Sequence, residues 1–139
     1  MPTATQVQRS DKPTKAILLA AIVAGTLDAS AAMINYKINV PDGNPLKVWR
    51  YVGSGVFGTD SLTKDLITMA IPGLLFHFLI AFLFTLFFFF IFPRIKGLRK
   101  NLIITGLLYG IFVWLVMNLI VVPFSNVPDK GKLWRLTNA

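Results

Sequence analysis

The sequence predicts an all-α integral membrane protein with three transmembrane helices and one interfacial or re-entrant amphipathic helix between the first two. Of its 139 residues, 55% are apolar and 14% are charged, whereas soluble domains average roughly 45–50% and 25%. Residues 66–93 and 101–128 contain no Asp, Glu, Lys or Arg, and residues 16–36 contain only Asp28. Since about 20 apolar residues cross the hydrocarbon core of a bilayer, each of these stretches is long enough to span it.

The predicted organisation is a single helical membrane domain between two polar tails. The tails are residues 1–15, placed in the cytoplasm, and the basic residues 129–139, with the membrane domain at 16–128. Within that domain the predicted elements are spans at about 16–38, 66–92 and 102–123 and the amphipathic helix at about 45–58.

The first span has a second interpretation as a cleaved signal peptide. Its "AILLAAIVAGTL" resembles the apolar region of such a peptide, and "ASA" at residues 29–31 resembles a cleavage site. The polar segment that precedes it is long for a signal peptide, which favours a retained transmembrane helix.

A membrane location accounts for the net positive charge of the chain, and we expect no nucleic-acid partner. The net charge is +8, and Lys and Arg that flank membrane spans meet anionic lipid headgroups and fix orientation. The densest basic cluster, Arg94, Lys96, Arg99 and Lys100, joins the second and third spans. The positive-inside rule places this link, and with it the N-terminus, in the cytoplasm.

The amphipathic helix follows a "PDG" turn. At 100° per residue, Lys47, Arg50 and Ser54 share one narrow polar wedge, and apolar side chains cover the remainder. Such a helix lies in a membrane interface, with Trp49 and Tyr51 at headgroup depth. It can also re-enter the membrane where protein covers its backbone.

The stretch "GSGVFG", residues 53–58, matches the G-x-G-x-x-G pattern of dinucleotide-binding loops. That function requires a strand before the glycines and a βαβ unit around them, and three spans leave no room for such a unit. We therefore expect no nucleotide ligand. Gly53, Gly55 and Gly58 instead allow the backbone to bend or to pack tightly where the amphipathic helix meets the next span.

Three polar residues inside the predicted spans are candidate functional residues: Asp28, His77 and Asn118. Counted from the helix ends, all three lie in the same half of the bilayer, and Asp28 and His77 are nearly level. A hydrogen bond or ion pair between these two would lower the cost of burying both. The pair is either a polar lock between helices or a protonatable pair in a pathway for protons.

Small residues predict how the helices pack. The first and third spans each carry a stripe of them, and the prediction is that these two helices touch along the stripes. The residues concerned are Ala21, Gly25 and Ala32, which share a face with Asp28, and the pair Gly106 and Gly110 in "GLLYG". Such stripes also favour a homo-oligomer.

The composition argues against several kinds of active site. With no cysteine and His77 as the only histidine, thiolate metal sites and clusters of several imidazoles within one chain are excluded. No nucleophile–base pair is evident. The sequence therefore predicts a non-enzymatic protein with no metal or other cofactor, and the alternative is an oligomeric conduit for protons or small solutes that uses Asp28 and His77.

The motifs "AGTLDASAA", "SGVFG" and "GLLYGIFVWLVMNLIVVPFS" together resemble the YagU-like family of small bacterial inner-membrane proteins. The likeness covers roughly residues 16–128. It implies a multi-pass protein of the bacterial inner membrane and no established biochemical activity. Many members of the family carry a further C-terminal span, which this sequence lacks.

Overall fold

The computed structural model describes residues 12–126, and for residues 12, 13, 98 and 99 the backbone alone. The predicted tails lie outside this range, except residues 12–15, which already belong to the first helix. Five helices follow in order, joined by two 3₁₀ turns, Thr59–Thr63 and Lys96–Arg99, and one π-helical turn, Met117–Val121. The helices are α1 (Lys12–Asn39), α2 (Lys47–Phe57), α3 (Leu66–Ile91), α4 (Leu102–Val116) and α5 (Val122–Phe124).

Three helical segments are long and apolar enough to cross a membrane, which confirms that part of the predicted fold. They are Thr14–Asn39 and Leu66–Ile91, with 26 residues each, and Leu102–Phe124, with 23. At 1.5 Å per residue they measure about 39, 39 and 35 Å, which exceeds the hydrocarbon thickness of about 30 Å. The third segment comprises α4, the π-helical turn and α5.

Most large apolar side chains of this chain lie on its outside. The exposed fractions of Leu27 and Ile103, for example, are 67% and 84%. Soluble monomers rarely expose contiguous apolar patches beyond a few hundred Å². The buried core is correspondingly small and consists of Ala29, Trp49 and Ala70, so an apolar surrounding suits the exterior of the bundle.

Helices α2 and α3 approach each other closely at two glycines. A Cβ atom built on Gly73 of α3 would stand 1.8 Å from the backbone oxygen of Trp49 in α2. One built on Gly53 would stand 3.0 Å from the backbone oxygen of Met69. Glycine is therefore required at position 73, and the tight packing predicted for Gly53 is observed.

Helix α1 packs against α3, and the predicted contact between the first and third spans is wrong within one chain. Ala21 and Gly25 are buried, but a Cβ on Gly25 would meet Phe78 and Ala81 of α3. Beside Gly106 and Gly110 of α4 the space is empty to 4 Å. Ala32, on the same α1 stripe, is half-buried.

Large aromatic rings hold α4 at a distance from α3. Phe87 stacks on Phe112 with ring centroids 5.9 Å apart, and Phe88 meets Tyr109 at 4.7 Å. The hydroxyl of Tyr109 donates to the backbone oxygen of Phe84. Because side chains of this size separate the two backbones, the small residues of α4 do not reach α3.

A polar cap fixes where α3 begins, whereas α2 has no side-chain cap. The carboxylate of Asp65 accepts hydrogen bonds from the backbone N–H and the hydroxyl of Thr68, each at 3.0 Å. These bonds hold the pKa of Asp65 below its ordinary value. Before α2, the side chain of Asn44 accepts from the N–H of Leu46, but the helix begins at Lys47, two residues later than predicted.

We predict that Gly73→Ala destabilises the fold by about 1–3 kcal/mol, since the new methyl group must push the α2 backbone away. The matched control is Gly106→Ala, whose methyl group enters empty space and should be neutral or slightly stabilising through helix propensity. Thermal unfolding in detergent micelles, followed by circular dichroism, measures both. Equal stability of the two variants would contradict the close approach of α2 to α3.

Candidate polar site between α1, α2 and α3

The imidazole of His77 lies at the meeting point of three helices. Because Gly73 lets α2 approach α3, the ring of Trp49 reaches His77, with centroids 5.2 Å apart and planes tilted by 54°. Phe78 contacts the imidazole edge-on at 5.5 Å. With a side chain only 14% exposed, His77 is held between these aromatic rings.

The third contact of the imidazole is with α1. Its Nε2 lies 3.0 Å from the backbone oxygen of Gly25. Gly25 has no side chain to keep α3 away, and its carbonyl is therefore within hydrogen-bonding reach of a side chain on the neighbouring helix. The bond fixes the orientation of the ring, so that Nδ1 points toward Asp28.

Asp28 lies beside His77 but is not buried. Its Oδ2 is 4.0 Å from Nδ1 of His77, and its side chain is 79% exposed. The two residues are level, as their positions along the helices predict. The small residues that share a face of α1 with Asp28 do not cover its carboxylate within one chain, because the buried side of α1 faces α3 and Asp28 lies at the edge of that side.

The contact with Gly25 restricts the tautomer of His77. A backbone carbonyl can only accept, so Nε2 of His77 carries a hydrogen. Nδ1 then faces the carboxyl group of Asp28 across 4.0 Å, which is longer than a direct hydrogen bond.

Asn118, the third polar candidate, is satisfied within its own helix. It lies in the π-helical turn, and its side-chain amide donates to the backbone oxygen of Trp114 at 2.8 Å. Pro123, which has no N–H to donate, follows that turn. The structure therefore brings Asp28 and His77 together and gives Asn118 a local role in an irregular helix.

The four residues predicted at the interface divide into two groups. Trp49 is 3% exposed and packs inside the chain. Lys47, Arg50 and Tyr51 are half-buried, and the guanidinium of Arg50 donates to the backbone oxygen of Lys64 at 3.4 Å. Ser54, assigned to the polar wedge, is fully buried and donates to the backbone oxygen of Tyr51.

Sequence reasoning missed Trp49 as a neighbour of His77. The available signal was that each helix carries a ring and a glycine four residues apart, in opposite order. In α2, Trp49 comes four residues before Gly53, and in α3, Gly73 comes four residues before His77. On two adjacent helices, a glycine one turn from a ring leaves room for the ring of the other helix. That pattern was visible, but nothing in the sequence indicated that these two helices are partners.

The site offers no cluster for a metal ion. Within residues 12–126, no three His, Cys, Asp or Glu side chains lie close enough to hold one. What the site provides is one carboxyl group, one imidazole and one backbone carbonyl, which can hold and transfer a proton.

No family model, curated protein sequence or solved structure matches this chain. The resemblance to the YagU-like family stays a prediction carried by the quoted motifs. Function must therefore be inferred from the geometry of the helices and of the Asp28–His77 pair.

We predict that the neutral ring of His77 is the Nε2–H tautomer, because Gly25 offers it only an acceptor. As His77 is the only histidine, ¹⁵N-histidine labelling gives a single signal set in an NMR titration in micelles. Asp28→Asn is the control and should keep the same tautomer, since the bond to Gly25 does not involve Asp28. A neutral ring that is mainly Nδ1–H would contradict the observed contact.

Proposed function

We propose that this chain is a non-enzymatic, multi-pass protein of the bacterial inner membrane that acts by binding other membrane helices. The simplest partner is a second copy of the same chain. Three helices long and apolar enough to span a bilayer support the membrane placement, as does the large apolar exterior. The basic link between α3 and α4 favours a cytoplasmic N-terminus, and the YagU-like resemblance agrees with this location.

The exposure of Asp28 is the observation that carries the proposal. In the candidate span Thr14–Asn39, Asp28 lies 14 residues from one end and 11 from the other, or about 21 and 16 Å. A charged side chain at such a depth costs about 2.5–3.5 kcal/mol to insert. Its side chain is nevertheless 79% exposed, so a single chain leaves it facing the hydrocarbon.

The surface around Asp28 suits the approach of another helix. Ala24 and Ala31, about one turn to either side, are exposed, and so is Asn35. Small side chains let two backbones come close, and polar side chains then form hydrogen bonds across the contact. In a symmetric pair both copies of Asp28 lie at the same depth, where the protonated carboxyl group of one copy can donate a hydrogen bond to the carboxylate of the other.

An interfacial or re-entrant placement of α2 belongs to the same proposal, and the contacts of α2 favour re-entry. Trp49 and Gly53 pack beside Gly73 and His77 of α3, about 10 and 16 Å from the start of that helix. Since α3 is only about 9 Å longer than the hydrocarbon core, these contacts lie within the hydrocarbon. In this placement α2 enters the membrane with one side of its backbone covered by α3.

A second candidate function is an oligomeric conduit for protons or small solutes. The observation that favours it is the 4.0 Å separation of Asp28 Oδ2 and His77 Nδ1. A carboxyl group that is exposed on one side and contacts a buried imidazole on the other can take up a proton and pass it on. In this alternative the second copy closes the pathway around Asp28.

We predict that cross-linking distinguishes the two sides of α1. The chain has no cysteine, so single-cysteine variants need no background substitution. Ala24→Cys lies about 40° from Asp28 around the helix and Val23→Cys about 140°, at nearly the same depth and both exposed. Oxidation in vesicles should give covalent dimers for Ala24→Cys and few for Val23→Cys.

Substitution of Asp28 tests the chemistry of that contact. Asp28→Asn keeps hydrogen bonding and should leave the dimer, whereas Asp28→Leu should weaken it by about 1–2 kcal/mol, the value of an interhelical hydrogen bond in model peptides. The Ala24→Cys background reports both. Equal cross-linking at positions 23 and 24, or none in native-like lipid, would overturn self-association through this face.

For the conduit, we predict that the wild type dissipates a pH gradient across proteoliposomes and that Asp28→Asn abolishes this flux. The amide can hold a hydrogen bond but cannot release and rebind a proton at neutral pH. Both samples are matched for folded protein by circular dichroism. A wild type without flux contradicts proton conduction, and a flux that persists in Asp28→Asn contradicts the assigned role of Asp28.

A further inference from the structure

An apolar groove lies on the outside of the bundle, at the end opposite α2. Its volume is about 520 Å³, within the range of about 300–1,000 Å³ that is usual for ligand clefts. One wall is Ile17 of α1, and the others come from the last third of α3. The α3 residues that line it are Leu83, Leu86, Phe87, Phe89 and Phe90.

A guanidinium group stands at the end of this groove. Arg94 lies over the ring of Phe90, with its Cζ 3.6 Å from the ring centroid. It also donates a hydrogen bond to the backbone oxygen of Phe90. Because Phe90 lines the groove, these contacts fix Arg94 at its rim. Of the five N–H groups of an arginine, this bond uses one.

The described charged residues around the groove are of one sign. Lys15, two residues before the groove wall of α1, is exposed, and so are Lys96 and Lys100 in the link that follows α3. In the described part of the chain, the acidic residues belong to the middle of α1 or to the opposite end: Asp28, Asp42, Asp60 and Asp65. Among the described residues, an anionic group at the rim would therefore meet several cations and no nearby carboxylate.

We propose that this groove binds one anionic phospholipid, with an acyl chain along the α3 aromatic residues and the phosphate on Arg94. The apolar walls fit hydrocarbon, and an arginine can bind a phosphate through two parallel N–H bonds. A neutral lipid would leave the cationic rim without a partner. The inference rests on the proposed membrane placement, but not on Asp28 or on self-association.

The test uses the full chain reconstituted in vesicles of equal phosphatidylcholine and phosphatidylglycerol. Alkaline extraction first establishes that the protein is inserted. After gentle solubilisation, native mass spectrometry counts the lipids retained per chain. The wild type should retain phosphatidylglycerol in preference to phosphatidylcholine. Arg94→Gln should reduce that preference about fivefold, as expected for one basic residue near an anionic surface.

Two matched controls distinguish lipid binding in this groove from non-specific attraction of anionic lipid to basic residues. Lys64→Gln removes the same charge at the opposite end of the bundle and should not change the preference. Leu83→Trp fills the groove, whereas Leu108→Trp places the same side chain on α4, away from the groove; the two leucines are 53% and 57% exposed. Only Leu83→Trp should reduce retention.

Each contrary result has a distinct meaning. Equal loss in Arg94→Gln and Lys64→Gln shows diffuse charge attraction and overturns the site. An unchanged Leu83→Trp, or displacement of the lipid by inorganic phosphate, shows an anion contact without the groove and also overturns it. Protein that is not inserted into vesicles overturns both the membrane placement and this site, whereas inserted protein without lipid preference overturns the site alone.

Discussion

The close approach of α2 to α3 at Gly73 determines where the polar site lies. Because residue 73 has no side chain, the backbone of Trp49 can pass directly over it. The indole ring then covers His77, one turn further along α3. A larger residue at position 73 would move α2 outward, expose the imidazole and separate the three elements that meet there. The geometry of His77 thus depends on a backbone contact one helical turn away.

This contact also explains why the two polar residues have different environments. His77 is enclosed by α2 and α3 and bonded to α1 through Gly25. Asp28 stands on the side of α1 that neither helix covers. One chain therefore completes the environment of the imidazole and leaves that of the carboxyl group open. Self-association and proton conduction are both explanations of the same feature, an exposed carboxyl group that one chain does not cover.

Composition and length were sufficient to predict the three long helices, because a charge-free stretch of more than 20 residues has few other structures open to it. The level of Asp28 and His77 also followed from the sequence, since helical rise converts residue number into depth. The helix that packs against Gly25 could not be predicted from the sequence. Small residues show that a helix can pack closely, but the large rings of Phe88 and Tyr109 keep the backbone of α4 apart from that of α3. The burial of Ser54 was missed for the same reason, since a helical wheel shows periodicity and not which face has a neighbour.

The two ends of the bundle differ in a way that follows from these contacts. At one end α2 fills the space beside α3, so the exterior there is closed by Trp49 and its neighbours. At the other end α4 contacts α3 through Phe112 and Tyr109, but the aromatic residues up to Phe90 also border an open groove with Arg94 at its rim. In the described part of the chain, this groove is not filled by a helix as the space beside Gly73 is filled by α2. In the proposed membrane placement, lipids would fill this groove, since they offer hydrocarbon to its walls and anionic headgroups to the surrounding cations.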